Sequence, residues 1–486
     1  MSPQPARRRR RILIGVGIAV VLIAAAGTVF ALTRPGDVSN PDVEFRAEPT
    51  DTPVPDATKP PKKGEKDPLD DFVWAHYGYS KDRRRYLPAS QNLRPPYYRV
   101  WSVTGRVLLE FGPVLGGKSL YLLKNNASLY AIAKDTGRVR WKRKLGYLAA
   151  ASPAYGDGKI YVTLLQRGRR TRAGRAIALR ASDGKILWNR LLPSRSESSP
   201  LLDGDHVYFG SENGTVYSLR TADGSVRWKF KAKGAVKAAL AMADGKLYFG
   251  DYKGRVYALW ADSGKVAWSK GTSGAKFGLG SGQFYSTPAV AYGRVYLGNT
   301  DGNVYSYASD SGKLAWRKRT SGYVYASPAV AQVPGGAPTV YIGSYSGTFY
   351  ALDARSGRVR WSFNAHGKIS GASSVVGDIV YFSTINGKNT FGLGARTGRR
   401  VFYMGRGAYN PVVSDGRTIF LNGYSSLYAL RPLSAKGEVK AARRRTDSRR
   451  ASRAACLRKA KRYHTHRKTI RRSYYRCVRR HHAQRR

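Results

Sequence analysis

Between residues 97 and 431 apolar side chains alternate with polar ones in short runs, and each run ends at a turn that contains glycine. Residues 206–210 (HVYFG) and 215–219 (TVYSL) show the pattern: Glu212-Asn213-Gly214 joins them, and Asp223-Gly224 leads into residues 226–230 (VRWKF). A period of two is that of a strand with one side toward a core, and turns of this composition close hairpins. No stretch of this span keeps a helical period, so the expectation is an all-β meander.

A longer period lies over the short one. The phrase at residues 258–268 (ALWADSGKVAW) returns at 351–361 (ALDARSGRVRW). Its closing aromatic falls at Trp101, Trp141, Trp188, Trp228, Trp268, Trp316, Trp361 and Phe402, at intervals of 40, 47, 40, 40, 48, 45 and 41 residues. Four strands per unit of that length predict propeller blades. After Phe402 only three alternating runs remain (410–413, 418–421 and 426–430), so the last unit lacks its outer strand. Residues 98–103 (YRVWSV) stand alone before the first complete unit and carry the terminal aromatic, Trp101. The predicted fold class is therefore all-β: an eight-bladed β-propeller closed by its N-terminal strand, which leaves no sheet edge free.

The phrase Tyr-Ala-Leu-Asp-Ala-x-x-Gly-x-x-x-Trp, in register over residues 97–431, resembles the tryptophan-docking repeat of the quinoprotein dehydrogenase superfamily. That superfamily includes non-enzymatic PQQ-binding-like members and the BamB-type envelope scaffold. Tyr77-Gly78-Tyr79 and Arg85-Tyr86-Leu87-Pro88 look like the lead-in such proteins have. The resemblance implies that the eight aromatics are structural, each docking on the neighbouring blade. A large ring with a polar handle suits a blade junction.

The ends change the picture. Residues 7–11 are five arginines, and residues 12–32 are an uncharged apolar run of 21, long enough to span a bilayer. Their order predicts a transmembrane signal anchor with the N-terminus inside and the rest outside the cytoplasm; a cleaved signal peptide is the alternative. The chain then divides into a Pro-rich disordered stalk at 33–70, a lead-in at 71–96, the propeller at 97–431 and a basic tail at 432–486. Net charge is +55, and residues 435–486 hold 21 Lys and Arg against two acids. The tail is thus expected to engage anionic envelope polymers or lipid headgroups, and its inferred location argues against nucleic acid.

Both cysteines, Cys456 and Cys477, lie in that tail, symmetric about Thr465-His466 on two short helical patterns. Outside the membrane they are expected to form a disulfide. A zinc site that adds His464, His466, His481 and His482, or free thiols, are the other readings.

Innermost strands open with Ser-Pro or an equivalent: Gly112-Pro113, Ser152-Pro153, Ser199-Pro200, Thr287-Pro288, Ser327-Pro328 and Asn410-Pro411. Three residues before each proline position stand Glu110, Ala150, Glu197, Lys237, Tyr285, Tyr325, Ser370 and Ala408, which should ring one mouth of the central channel, with Tyr323 and Arg406 nearby. Glu110, Glu197, Lys237, Tyr285, Tyr325 and Arg406 are the candidate binding residues there; capping a solvent channel is the plainer role. Two loops depart from the repeat, the arginine-rich excursion at 167–175 and the glycine-rich entry at 271–282.

A dehydrogenase of the superfamily would be expected to show a catalytic acid, calcium-ligating carboxylates and often a vicinal cysteine pair at the funnel. The propeller span has no cysteine, and Asp203, Asp223, Asp262, Asp301 and Asp310 sit at turns, where geometry explains them. No metal site, catalytic residue or cofactor is therefore expected. The sequence reads as a membrane-anchored, extracytoplasmic, non-catalytic binding scaffold with a protein or anionic-polymer partner; a PQQ-dependent oxidoreductase is the alternative.

Overall fold

The computed structural model describes residues 36–47, 51, 54, 66–67, 69–90, 92–171, 173–272 and 282–433, together with Cys456, Leu457, Tyr475 and Cys477. Eight antiparallel sheets form the blades of a β-propeller. Blade three shows the unit. Its strands are Leu201–Asp203, His206–Gly210, Thr215–Arg220 and Val226–Lys231, and the register Leu201↔Tyr208↔Ser218↔Trp228 crosses the sheet. A register shift follows the residue opposite the tryptophan, here between Ser218 and Leu219 and likewise between Ala258 and Leu259 or Ala351 and Leu352. A bulge there adds local twist, as a radial blade requires.

The tryptophans join one blade to the next. Each indole N–H donates to a carbonyl in the following blade: Trp141 to Ala181 at 3.0 Å, Trp228 to Ala261 at 3.0 Å, Trp316 to Ala354 at 2.9 Å and Trp361 to Ala395 at 3.0 Å. A tyrosine of the second strand donates to the same carbonyl, Tyr208 to Ala261 at 3.1 Å and Tyr296 to Ala354 at 3.1 Å. One carbonyl thus holds two rings of its neighbour, which satisfies their polar ends while the ring bodies are buried. Phe402 keeps the place of the eighth aromatic without a donor and lies 6.0 Å from Tyr381.

The glycine of the repeat serves this docking as well as the turn. At Gly264, φ is +70° and an added Cβ would lie 2.6 Å from the Trp228 ring. At Gly245 φ is +68°, yet nothing lies within 4 Å of that position. Gly264→Ala should therefore destabilise clearly more than Gly245→Ala. Both carry the left-handed penalty of roughly 1–2 kcal/mol, but only the first displaces an indole. Equal melting temperatures for the two variants would contradict the docking role.

Closure follows the predicted route. The sheet of blade eight runs Val412–Ser414, Ile419–Asn422, Leu427–Pro432 and then Tyr97–Val103, so its outer strand comes from the start of the propeller. Trp101 on that strand donates to the carbonyl of Lys134 at 2.9 Å and covers Gly137, both in blade one.

The expected stalk needs correction over residues 36–47. Val38–Ser39 adds a fifth strand to blade five, against Trp316 and Arg317 of its outer strand. Phe45 stacks on Tyr292 at 5.4 Å, and Val43 packs into the same core. Arg317 takes the carbonyl of Gly36 at 2.7 Å, and Lys318 meets the Asp37 carboxylate at 2.5 Å. Three apolar residues and a ladder edge suffice to bind a stretch whose composition alone predicts disorder. The expected anchor at 12–32 lies outside the described residues, and among those described no helix is long and apolar enough to cross a membrane.

Residues 94–98 and the chain from Arg431 onward form a separate unit. In it the Leu433 amide donates to the carbonyl of Pro96 at 2.9 Å, and a disulfide joins Cys456 to Cys477, their Cα atoms 5.7 Å apart. These two cysteines, Leu457 and Tyr475 are helical; the rest of the expected hairpin lies outside the described residues.

Candidate functional site

One end of the central channel is closed by the lead-in. Val73–Trp74 pairs with the inner strand of blade one, and Tyr86–Leu87 runs parallel to that of blade seven. Between them the chain visits the inner strands of blades two to six in turn. The carbonyls of Ala75, Lys81, Asp82 and Arg84 accept from the amides of Tyr155, Met242, Val290 and Val330, each at 2.8 Å. For blade three the acceptor is a side chain, His76 Nε2, which receives the Leu202 amide at 3.1 Å. Trp74, Leu87, Arg83 and Arg85 are all buried. Arg83 donates to the carbonyls of Tyr77, Leu240 and Pro200. Residues 73–87 are therefore a plug, held by hydrogen bonds to the blades.

His76 gives the plug a pH dependence. Its Nε2 must be unprotonated to accept, and burial, with Arg83 and Lys81 near, lowers its pKa from 6.5 to about 3. In an unfolded chain it titrates at its ordinary value, so between about 6.5 and 3 the unfolded state binds more protons. The stabilisation is complete above pH 6.5 and is lost as pH falls toward 3. His76→Gln, which keeps an acceptor without the titration, should flatten the fall in melting temperature with pH; an unchanged slope would assign the fall elsewhere.

At the other end a cavity of about 300 Å³ opens around the axis, and Tyr77 of the plug lies at its floor. Glu110, Glu197, Lys237, Tyr285, Tyr325 and Ser370 line it, as their place before the inner strands predicts. Ala150, Ala408 and Arg406 do not; Arg406 donates to the carbonyl of Gly405, and Tyr323 is exposed beside Tyr325. The sequence reading missed Phe111, Tyr252, Tyr345 and Tyr409, which also line the mouth. Tyr252 and Tyr345 occupy the second turn position after a blade's second strand, in Asp251-Tyr252-Lys253-Gly254 and Ser344-Tyr345-Ser346-Gly347. That position forms a second ring of the mouth and was readable from the repeat register.

The residues before the prolines stitch neighbouring blades. Ser199 Oγ accepts the amide of Ser152 at 2.9 Å, Ser327 Oγ that of Thr287 at 2.9 Å, and Asn410 Oδ1 that of Ala372 at 3.1 Å. These bonds fix the rim on which the mouth residues stand.

Electrostatically the mouth is acidic with one internal cation. Lys237 Nζ lies 3.0 Å from Glu197 and 3.1 Å from Glu212, and 5.3 Å above the Tyr252 ring. Tyr285 donates to Glu197 at 2.9 Å. The Glu110 carboxylate accepts from Asn125 at 2.8 Å, its carbonyl accepts from Asn410 at 2.6 Å, and burial raises its pKa. Burial likewise raises that of Glu197. Tyr252, Tyr285, Tyr325 and Tyr345 form a chain of rings 5.2 to 6.2 Å apart. Such a surface offers flat apolar faces and fixed acceptors, the means by which a pocket grips a side chain.

The family model described as outer membrane protein assembly factor BamB matches residues 98–231, 125–278 and 325–458. The chain belongs to that family. Among solved structures it is similar to BamB from Moraxella catarrhalis, at 16% identity and a TM-score of 0.56, over 71% of this chain and 99% of that one. A europium-containing methanol dehydrogenase is similar at 14% identity and a TM-score of 0.61, over 75% and 99%. The quinohemoprotein alcohol dehydrogenase from Comamonas testosteroni matches at 13% identity and 0.60, over 75% and 81%. No curated protein matches the sequence. At these identities the structures share the fold, and one propeller architecture hosts unlike functions.

Proposed function

We propose that this BamB-family chain is a non-catalytic scaffold of the cell envelope, tethered by residues 12–32, whose open mouth docks a protein partner. The observation that supports it is asymmetry along the axis. Residues 73–87 close one end, while the other presents a tyrosine-walled cavity with Glu110 and Glu197 at its rim. Aromatic anchors in a rigid concave site are where binding energy concentrates. The basic residues of 434–486 add a charge by which the chain is drawn to anionic surfaces.

The dehydrogenase reading requires PQQ, a planar tricarboxylate. The mouth does not suit it: Glu110 and Glu197 are carboxylates, and Lys237 is already held by Glu197 and Glu212. An added anion would face like charge in a partly desolvated site. Among the described residues no group of three or more His, Cys, Asp or Glu is placed to hold a metal. Full-length protein titrated with PQQ and calcium should show no saturable binding and no dye-linked alcohol oxidation, and protease added to intact spheroplasts should digest the propeller. Stoichiometric PQQ binding, or a protected propeller, would overturn the respective half of the proposal.

A further inference from the structure

Beneath the floor of the mouth, on the other side of Tyr77, lies a second and much smaller cavity of about 20 Å³. It is lined by Trp74, Arg85, Ser374, Asn410, Val412 and Asn422 among others, and no carboxylate lines it. Arg85 is 1% exposed. Its Nη1 donates to the carbonyls of Arg83 at 2.7 Å and Pro328 at 3.0 Å, and its Cζ stands 4.9 Å from the centre of the Tyr77 ring. Among the described residues its Nε and Nη2 have no hydrogen-bond partner, and neither has Asn422 Oδ1, on a residue 2% exposed.

Charge makes these free donors more than a packing defect. Arg83, 0% exposed, stands two residues away, and its hydrogen bonds run to carbonyls, so two guanidinium groups share a hub without an acidic partner. Asp82, the acid that precedes Arg83 in sequence, is committed to Arg84 at 2.9 Å. An uncompensated buried cation is costly, and proteins pair or neutralise such groups. Both arginines also hold left-handed backbone, φ +59° at Arg83 and +56° at Arg85, so the local chain is strained to place them there.

We propose that this cavity binds one monoatomic anion of the halide class, held by Nε and Nη2 of Arg85. Size selects the class. About 20 Å³ admits one water-sized particle, and phosphate, sulfate or a carboxylate needs more. The Asn422 amide can turn over to present Nδ2 as a further donor, since its O and N ends are nearly the same in shape. The anion offsets half of the buried charge and joins the plug to blade eight through Asn422. A water in the same place would complete the hydrogen bonds and leave the charge.

Thermal unfolding of the full chain in sodium chloride or bromide, against sodium sulfate at equal ionic strength, tests the site. Melting temperature should rise saturably at low halide concentration, whereas sulfate gives only the gradual, unsaturating rise of an excluded salt; at halide ten times its Kd the unfolding constant falls about elevenfold. Arg85→Met should abolish the dependence. Should that variant not fold, Asn422→Asp gives the second test, because it supplies a fixed carboxylate. It should melt at least as high as the parent without halide and show no halide dependence. Crystals grown in bromide should carry an anomalous peak beside Arg85. No saturable halide effect on melting, or an ordinary water with no anomalous signal, would overturn the proposal.

Discussion

A chain that begins at Arg94 should fail to form a cooperative propeller, whereas one that begins at Gly36 should fold. The shorter chain lacks both residues 36–47, which add to blade five, and the plug, and the plug is the larger loss. Without residues 73–93 the hub loses the buried side chains of Trp74, Tyr86, Leu87 and Leu93. At roughly 1.5–3 kcal/mol for each large apolar side chain the loss rivals the whole stability of a domain, about 5–15 kcal/mol. It also strips the amides of Tyr155, Leu202, Met242, Val290 and Val330 of their acceptors. The expected result is aggregation and no sharp melting transition for the shorter chain. A shorter chain with the melting temperature of the longer one would show that the blades close without the plug.

What the sequence revealed and what it hid follow from where the hydrogen bonds run. The blades announce themselves because period-two burial and the Trp positions recur, so count, closure by residues 98–103 and six mouth positions were all legible. The plug has no period. Residues 73–87 bond to six blades through backbone groups, which any residue supplies, and to blades three and eight through the His76 and Tyr77 side chains, and only the two buried arginines mark it in composition. In a chain with 85 Lys and Arg, Arg83 and Arg85 do not stand out. The second-strand tyrosines were visible as strand residues, yet their role depends on a carbonyl one blade away. Residues 36–47 mislead for a like reason, since a ladder edge and the pocket at Tyr292 lie more than 200 positions on.

Trp101→Ala should cost stability at the lower end of the 3–5 kcal/mol typical of truncated core aromatics, because the ring is half-buried. The loss falls at the seam. Trp101 donates to Lys134, covers Gly137 and lies 5.9 Å from Phe420, so it connects blade eight to blade one. Trp228 does the same at an ordinary junction, donating to Ala261. The two alanine variants should therefore lower the melting temperature comparably. If Trp101→Ala melts like the parent while Trp228→Ala does not, the outer strand of blade eight is not structurally a blade strand.

The docking role and outward face proposed for the tyrosine-walled mouth are tested together by crosslinking. Cysteine introduced at the mouth as Tyr325→Cys, and on the exposed outer strand of blade three as Lys229→Cys, can carry a membrane-impermeant thiol-reactive photocrosslinker. The native Cys456 and Cys477 are bonded to each other and do not compete. After illumination of intact spheroplasts, the Tyr325→Cys chain should yield a discrete protein adduct and the Lys229→Cys chain none. Adducts of equal yield from both positions, or none from the mouth while the outer strand is labelled, would contradict the account.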